Sequence, residues 1–125
     1  KALMTQFKTF GFLFEQLCIR DLKAYTSDID SHIGYYHDKY GLEADVVLHI
    51  NDGRYALIEC KLGSAEIEDG AKQLLELQRL IKEHNKTEIQ TPISEPDLLL
   101  VLTGGQYAYR RQDGVFVVPI GCLKN

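Results

Sequence analysis

Two β-rich runs joined by a short turn carry the residues with the most chemistry in them: Glu43 and Asp45 in the first run, Glu59 and Lys61 in the second. Between the runs stands Asn51-Asp52-Gly53, a hairpin signal in which glycine supplies the left-handed position. A loop of those three residues sets Ile50 opposite Arg54, and counting back pairs Asp45 with Glu59 and Glu43 with Lys61. Side chains alternate along a strand, so this register directs all four to one face. A two-residue loop would instead pair Asp45 with Cys60 and scatter the group. Two carboxylates directly across a strand pair repel, and the repulsion asks for a cation between them. A hard divalent ion such as Mg²⁺ or Mn²⁺ is one answer, since such ions take one or two carboxylates plus water and phosphate oxygens. The other answer is that Lys61 neutralises both acids as an ordinary ion cluster. Spacing alone leaves both open, and the acidic-x-Lys triplet occurs a second time at Asp21-Leu22-Lys23.

The elements that must hold these residues are legible from periodicity. Apolar residues at Phe10, Leu13, Phe14, Leu17 and Cys18, with a second line through Ile19 and Leu22, predict a helix over 10–25 that Thr9 caps. A connection over 24–31 leads to a strand over 33–37, and Gly41 marks the next turn. Residues 44–50 and 55–61 form the hairpin, whose other face (Ala44, Val46, Leu48, Ile50, Ala56, Ile58 and Cys60) is apolar and packs against a helix. Ser64 is placed to cap a second helix, with Glu66, Glu68 and Asp69 in its first turn and Lys82 and His84 in its last, as the helix dipole favours. Its core stripe is Ile67, Ala71, Leu74, Leu75 and Ile81, and Lys72/Glu76 and Arg79/Glu83 have i, i+4 spacing on the solvent side. After a loop over 86–95, the apolar run 97–103 reads as a strand covered on both faces. Runs at 107–111 and 115–118 flank Gln112-Asp113-Gly114 as a second hairpin. The fold class is therefore α/β (α+β), a mixed central sheet flanked by helices and ending in a β-hairpin.

The bulk properties bound the function. A chain of 125 residues, 45% hydrophobic and 26% charged, predicts one domain, 1–125, around one core. No apolar run reaches the length of a membrane span, and no secretory leader is present, so a cytoplasmic, non-membrane protein is expected. An opening at Lys1 rather than Met predicts a fragment of a longer chain. Cys18, Cys60 and Cys122 lie among apolar neighbours as reduced core thiols do, and the four histidines lack zinc spacing. A net charge of −4 excludes a surface basic all round, so any nucleic-acid contact must be local. There is no G-x-x-x-x-G-K-[ST] loop, so the chain is not itself an ATPase.

Three segments carry a resemblance across almost the whole chain: Gly11-Phe12-Leu13-Phe14-Glu15, Gly41-Leu42-Glu43-Ala44-Asp45 and Ile58-Glu59-Cys60-Lys61, with the ending Val118-Pro119-Ile120-Gly121. Together they resemble the C-terminal domain of unknown function (DUF4143-type) of prokaryotic AAA-type ATPases, which is similar in core to PD-(D/E)xK nucleases. The resemblance implies a restriction-endonuclease-like αβββαβ core and an ATPase module preceding it in the same chain. It implies metal binding by Asp45, Glu59 and the backbone carbonyl of Cys60, with water orientation by Lys61 and the acidic position of the first helix filled by Glu15. Gln73 stands where some nuclease relatives carry a Gln, although the aromatic that follows it there is Leu77 here.

The expected chemistry is Mg²⁺- or Mn²⁺-assisted phosphodiester hydrolysis of DNA or RNA. Arg110 and Arg111, with Lys72 and Arg79, are candidate phosphate contacts, and Tyr35, Tyr36, Tyr107 and Tyr109 candidate base-stacking rings. Ordinary surface or sheet-edge roles explain each of these singly. The alternative is a catalytically inactive nuclease-fold module that serves the ATPase as a docking or regulatory domain.

Overall fold

The computed structural model describes residues 2–27, 31–37, 43–87 and 94–123; side chains are described for 13–27, 31–34, 44–86 and 94–123. The expected turn at Gly41, most of the loop over 86–95 and the side chains of Tyr35, Tyr36 and Glu43 lie outside these. Helix α1 (Ala2–Tyr25) is followed by strands β1 (Ser31–His37), β2 (Glu43–Ile50) and β3 (Tyr55–Lys61). Helix α2 (Ile67–Thr87) then leads to β4 (Leu98–Thr103), β5 (Tyr109–Arg110) and β6 (Phe116–Pro119). The strands form one mixed sheet in the order β1-β2-β3-β4-β6-β5. β1, β2 and β3 run antiparallel, β3 is parallel to β4 and β4 to β6, and β5 closes antiparallel on β6.

One helix covers each face. On the first, Phe14, Cys18 and Leu22 of α1, spaced by one helical turn, pack on Val46, Ala56, Ile58, Cys60, Leu100 and Leu102. On the second, Ile67, Ala71, Leu74 and Leu77 of α2 pack on Val47, Leu57, Leu99, Val101 and Val117. β4 contributes alternate residues to both clusters, which is why its sequence is apolar throughout.

The hairpin β2–β3 has the expected three-residue loop. The Ile50 N–H donates to the Arg54 carbonyl at 2.8 Å and the Gly53 N–H to the Ile50 carbonyl at 3.0 Å, with Gly53 at φ 98°. The second hairpin repeats the device: the Arg111 N–H donates to the Val115 carbonyl at 2.8 Å, with Gly114 at φ 94°. In each loop the middle aspartate accepts from the N–H two residues on, Asp52 from Arg54 and Asp113 from Val115.

Four expectations need correction. α1 starts at Ala2, so Thr9 lies inside it and caps nothing. Ser64 opens a 3₁₀ turn (Ser64–Glu66) ahead of α2, with Gly63 at its N-cap and no side-chain capping bond. Arg79 pairs with Glu76, one turn behind it, while Glu83 pairs with Lys86. Cys18 and Cys60 are buried as expected, but Cys122 is exposed.

Candidate functional site

Regular pairing in β2–β3 runs from His49↔Tyr55 to Val46↔Ile58, and the same register carries Asp45 to the level of Glu59. There the backbone ladder gives way to side chains. The Asp45 N–H donates to Glu59 Oε2 at 3.1 Å, and the Cys60 N–H donates to Asp45 Oδ2 at 2.9 Å. Each carboxylate thus satisfies a main-chain donor of the opposite strand, and the two carboxyl groups also share a hydrogen bond with each other.

The cause of this opening lies on the other side of β2. Between Gly34↔Val47 and Tyr36↔Ala44, two residues of β2, Asp45 and Val46, stand opposite one of β1, which is a β-bulge. Strict alternation would put Ala44 beside Val46 on the α1 face. Instead Ala44 joins Val47 in the α2 core, while Val46 remains with α1. This corrects the expectation that Ala44 belongs to the apolar face under α1 and that Asp45 follows Glu59 and Lys61 to one face.

Glu59 and Lys61 lie under α2. Glu59 is 1% exposed, and Gly70 of α2 approaches so closely that an added Cβ would stand 3.1 Å from Lys61 Cγ and 3.5 Å from Glu59 Cβ. Asp45, half-buried, lines a cleft of about 260 Å³ that opens on the α1 side and is shared with Glu15, Gln16 and Lys23. The carboxylates of Asp45 and Glu59 meet in the gap between strands, with Glu15 across the cleft and Lys61 behind. The backbone of Cys60, whose carbonyl the resemblance assigns to the metal, joins Glu59 to Lys61 at the same point.

Electrostatics follow from that burial. Loss of water around Glu59 is the main force raising its carboxyl, from an ordinary 4.5 to about 9, and the hydrogen bond and repulsion from Asp45 add to it. The Asp45 N–H and the Lys61 charge act the other way and offset part of the rise. At neutral pH the Glu59 carboxyl therefore keeps its proton. A dication supplies the same neutralisation more strongly. Among the described residues no group of three or more His, Cys, Asp or Glu side chains surrounds a common point. Two carboxylates with an adjacent carbonyl nevertheless form a donor set of the type Mg²⁺ accepts.

The remaining predicted residues divide. Gln73 is half-buried one helical turn after Gly70 and so shares its side of α2. The Arg111 guanidinium is held by Glu68 at 2.8 Å and Asp113 at 3.0 Å, which ties the second hairpin to the start of α2. Arg110 lies over the Phe116 ring at 5.5 Å. Both sit on the β5 side of the sheet, four strand positions from β2 or about 19 Å at normal strand spacing, so the fold does not bring them to the carboxylates. Tyr107 and Tyr109 are exposed near the same edge.

Sequence reasoning missed Gly70, although a signal was present. Glycine inside a helix costs about 1 kcal/mol relative to alanine, and α2 is otherwise built of good helix formers, so its presence there points to a close approach.

Among the described residues, no helix is long and apolar enough to cross a membrane. A family model described as Domain of unknown function (DUF4143) matches residues 10–123. No curated protein and no solved structure matches the chain.

Proposed function

The chain belongs to the DUF4143 family, and from that premise we propose that it carries a restriction-endonuclease-like PD-(D/E)xK core acting as a metal-dependent nuclease accessory to an AAA-type ATPase module. The observation that carries this reading is the facing pair of carboxyls Asp45/Glu59, set in a gap of the β-ladder with Lys61 and Glu15 beside it. Burying two carboxyls against each other destabilises the fold, which is a recurrent mark of sites kept for chemistry.

In this reading Asp45, Glu59 and the Cys60 carbonyl hold Mg²⁺ or Mn²⁺, which when bound polarises a phosphodiester and acidifies a water. Asp45, which lines the cleft, would be the accessible ligand, and Glu59 would have to be ionised to serve, because only the carboxylate is a ligand. Lys61 is steadied by Gly70 and orients the attacking water or stabilises the charge that develops on phosphate. Glu15 accepts a hydrogen bond from water in the cleft.

A second reading, a catalytically inactive docking or regulatory domain of the ATPase, draws on a specific observation as well: both carboxylates already bind main-chain amides and therefore have a structural use. One assay separates the two. Linear, circular and single-stranded DNA and RNA are incubated with the protein, with Mn²⁺ or with chelator, beside Asp45→Asn and Lys61→Ala. Metal-dependent cleavage lost in both variants supports the nuclease. Absence of cleavage on every substrate, or cleavage that survives both substitutions, removes it.

A further inference from the structure

At the hairpin end of the same sheet face, beyond the Glu59 site, a cavity of about 440 Å³ lies between the sheet and the second half of α2. That size is typical of small-molecule sites. Its apolar walls come from Val47 and Leu57 on the sheet and from Leu77 and Ile81 on α2. Among the described residues, no Lys, Arg, Asp or Glu lines it.

Three rings form one side. His32, His49 and Tyr55 are neighbours in register across β1, β2 and β3. The two imidazoles stack with centroids 4.6 Å apart and planes 13° apart, and His49 stacks on Tyr55 at 5.6 Å and 26°. The Tyr55 hydroxyl donates to the Ser94 carbonyl, which fixes the inner end of the ladder. The outer end, His32, is exposed at the β1 side. The result is a preformed column of stacked rings whose edges, with the imidazole nitrogens as donors and acceptors, line the cavity.

Gly34 keeps one side of the cavity open. It follows His32 on the same face of β1, is paired with Val47 and borders the β-bulge, a usual place for a strand glycine. An added Cβ there would meet no described atom within 4 Å, so the space before it is open to a ligand.

We infer that this cavity binds a planar heteroaromatic ring of nucleobase size, lying against the His32–His49–Tyr55 ladder over Gly34. Identifying the ring as a nucleic-acid base rests on the proposed nuclease reading. Gly34 also lines the cleft that holds Asp45 and Glu15 on the opposite face of the sheet, so both cavities reach the edge strand β1, and a nucleic-acid strand with one base in the first passes round that edge to bring its sugar-phosphate to the second. Contact between a base and aromatic rings is tolerant of sequence.

The test is a metal-free titration in chelator, so that it is independent of cleavage. The probes are the four 5′-deoxynucleoside monophosphates and, as a ring-free control, deoxyribose 5-phosphate, read by the ring proton resonances of His32, His49 and Tyr55. At least one nucleotide is expected to shift these resonances saturably at micromolar to millimolar concentration, and deoxyribose 5-phosphate is not. Gly34→Leu, which fills the space, should lose the response, while Gly34→Ala retains it. His49→Ala should weaken binding by about fivefold or more, and it decides the matter if Gly34→Leu does not fold. The inference is overturned if no nucleotide shifts the rings, if the ring-free sugar phosphate shifts them equally, or if the variant that decides the matter binds as the parent does. Nucleotide binding without any metal-dependent cleavage sinks the nuclease and leaves the pocket; cleavage without nucleotide binding does the reverse.

Discussion

The two ends of the β2–β3 hairpin are built on opposite principles. At the turn, main-chain pairing is regular and side chains merely decorate it, with Val47 and Leu57 in one core and Val46 and Ile58 in the other. At the far end, pairing is handed to two carboxylates, and a bulge shifts Asp45 out of alternation. The first end sets the register and the second makes use of it. The loop fixes which residues come level, and the bulge then lets two buried acids meet edge to edge instead of standing side by side on a face. A structural hairpin has no need of the second device, which is why the proposed chemistry is assigned to the far end.

The largest expected effect breaks the comparison directly. Glu59 has its carboxyl raised to about 9, whereas in the unfolded chain it titrates near 4.5. Between those values the folded protein binds a proton that the unfolded chain has released, so stability falls as pH rises, by up to about 1.4 kcal/mol per pH unit. The contribution is complete below pH 4.5 and lost by the time pH has passed through 9. Glu59→Gln can still accept from the Asp45 N–H and donates to Asp45, and it has nothing to titrate. Urea unfolding across this range, in chelator, should show the slope in the parent and a nearly flat line in the variant. A parent as flat as Glu59→Gln would mean that the carboxyl is not held protonated.

Metal binding gives the next effect in size. If Asp45 and Glu59 receive a dication, thermal unfolding of the parent should shift upward with Mn²⁺, by about 2.7 kcal/mol at a hundredfold excess over Kd. The shift should grow with pH as the Glu59 proton becomes easier to displace. Asp45→Asn keeps an oxygen for the Cys60 N–H and gains a donor for Glu59, so without metal it should melt at or above the parent while losing most of the shift. A parent indifferent to Mn²⁺ together with a variant that melts lower would make the pair a structural network.

Much of this molecule is legible in its sequence where local chemistry decides. Asn51-Asp52-Gly53 and Gln112-Asp113-Gly114 declare three-residue loops, and the loops dictate register. The apolar run of β4 declares burial on both faces, and the residues level with Asp45 follow by counting. What counting cannot give is the bulge, because no residue type in Ala44-Asp45-Val46-Val47 announces it and β1 imposes it from the neighbouring strand. The same holds for Arg111, whose pairing with Glu68 depends on where α2 begins relative to a hairpin 43 residues away. Gly70 and Gly34 lie between these cases: each breaks the propensity of its element, and each stands where the backbone leaves room for something else.

The smallest effect sharpens the account of how register is held. Gly53 and Gly114 both have φ near +95°, where a Cβ is disfavoured, and neither has a close neighbour: an added Cβ at Gly53 meets nothing within 4 Å and one at Gly114 meets only Arg110 at 4.0 Å. Substituting alanine at either should therefore cost backbone energy alone, about 1 kcal/mol, seen as a fall in Tm of a few degrees. The consequence for the site should differ from the consequence for stability. A one-residue slip of β2 on β3 would exchange faces and carry Val46 and Val47 out of their cores, a penalty well beyond what a strained turn can offset. Gly53→Ala should accordingly melt lower, like Gly114→Ala, and still show the full Mn²⁺ shift of the parent. A Gly53→Ala variant that keeps its fold but loses that shift would show that the loop alone, and not the two buried faces, holds Asp45 level with Glu59.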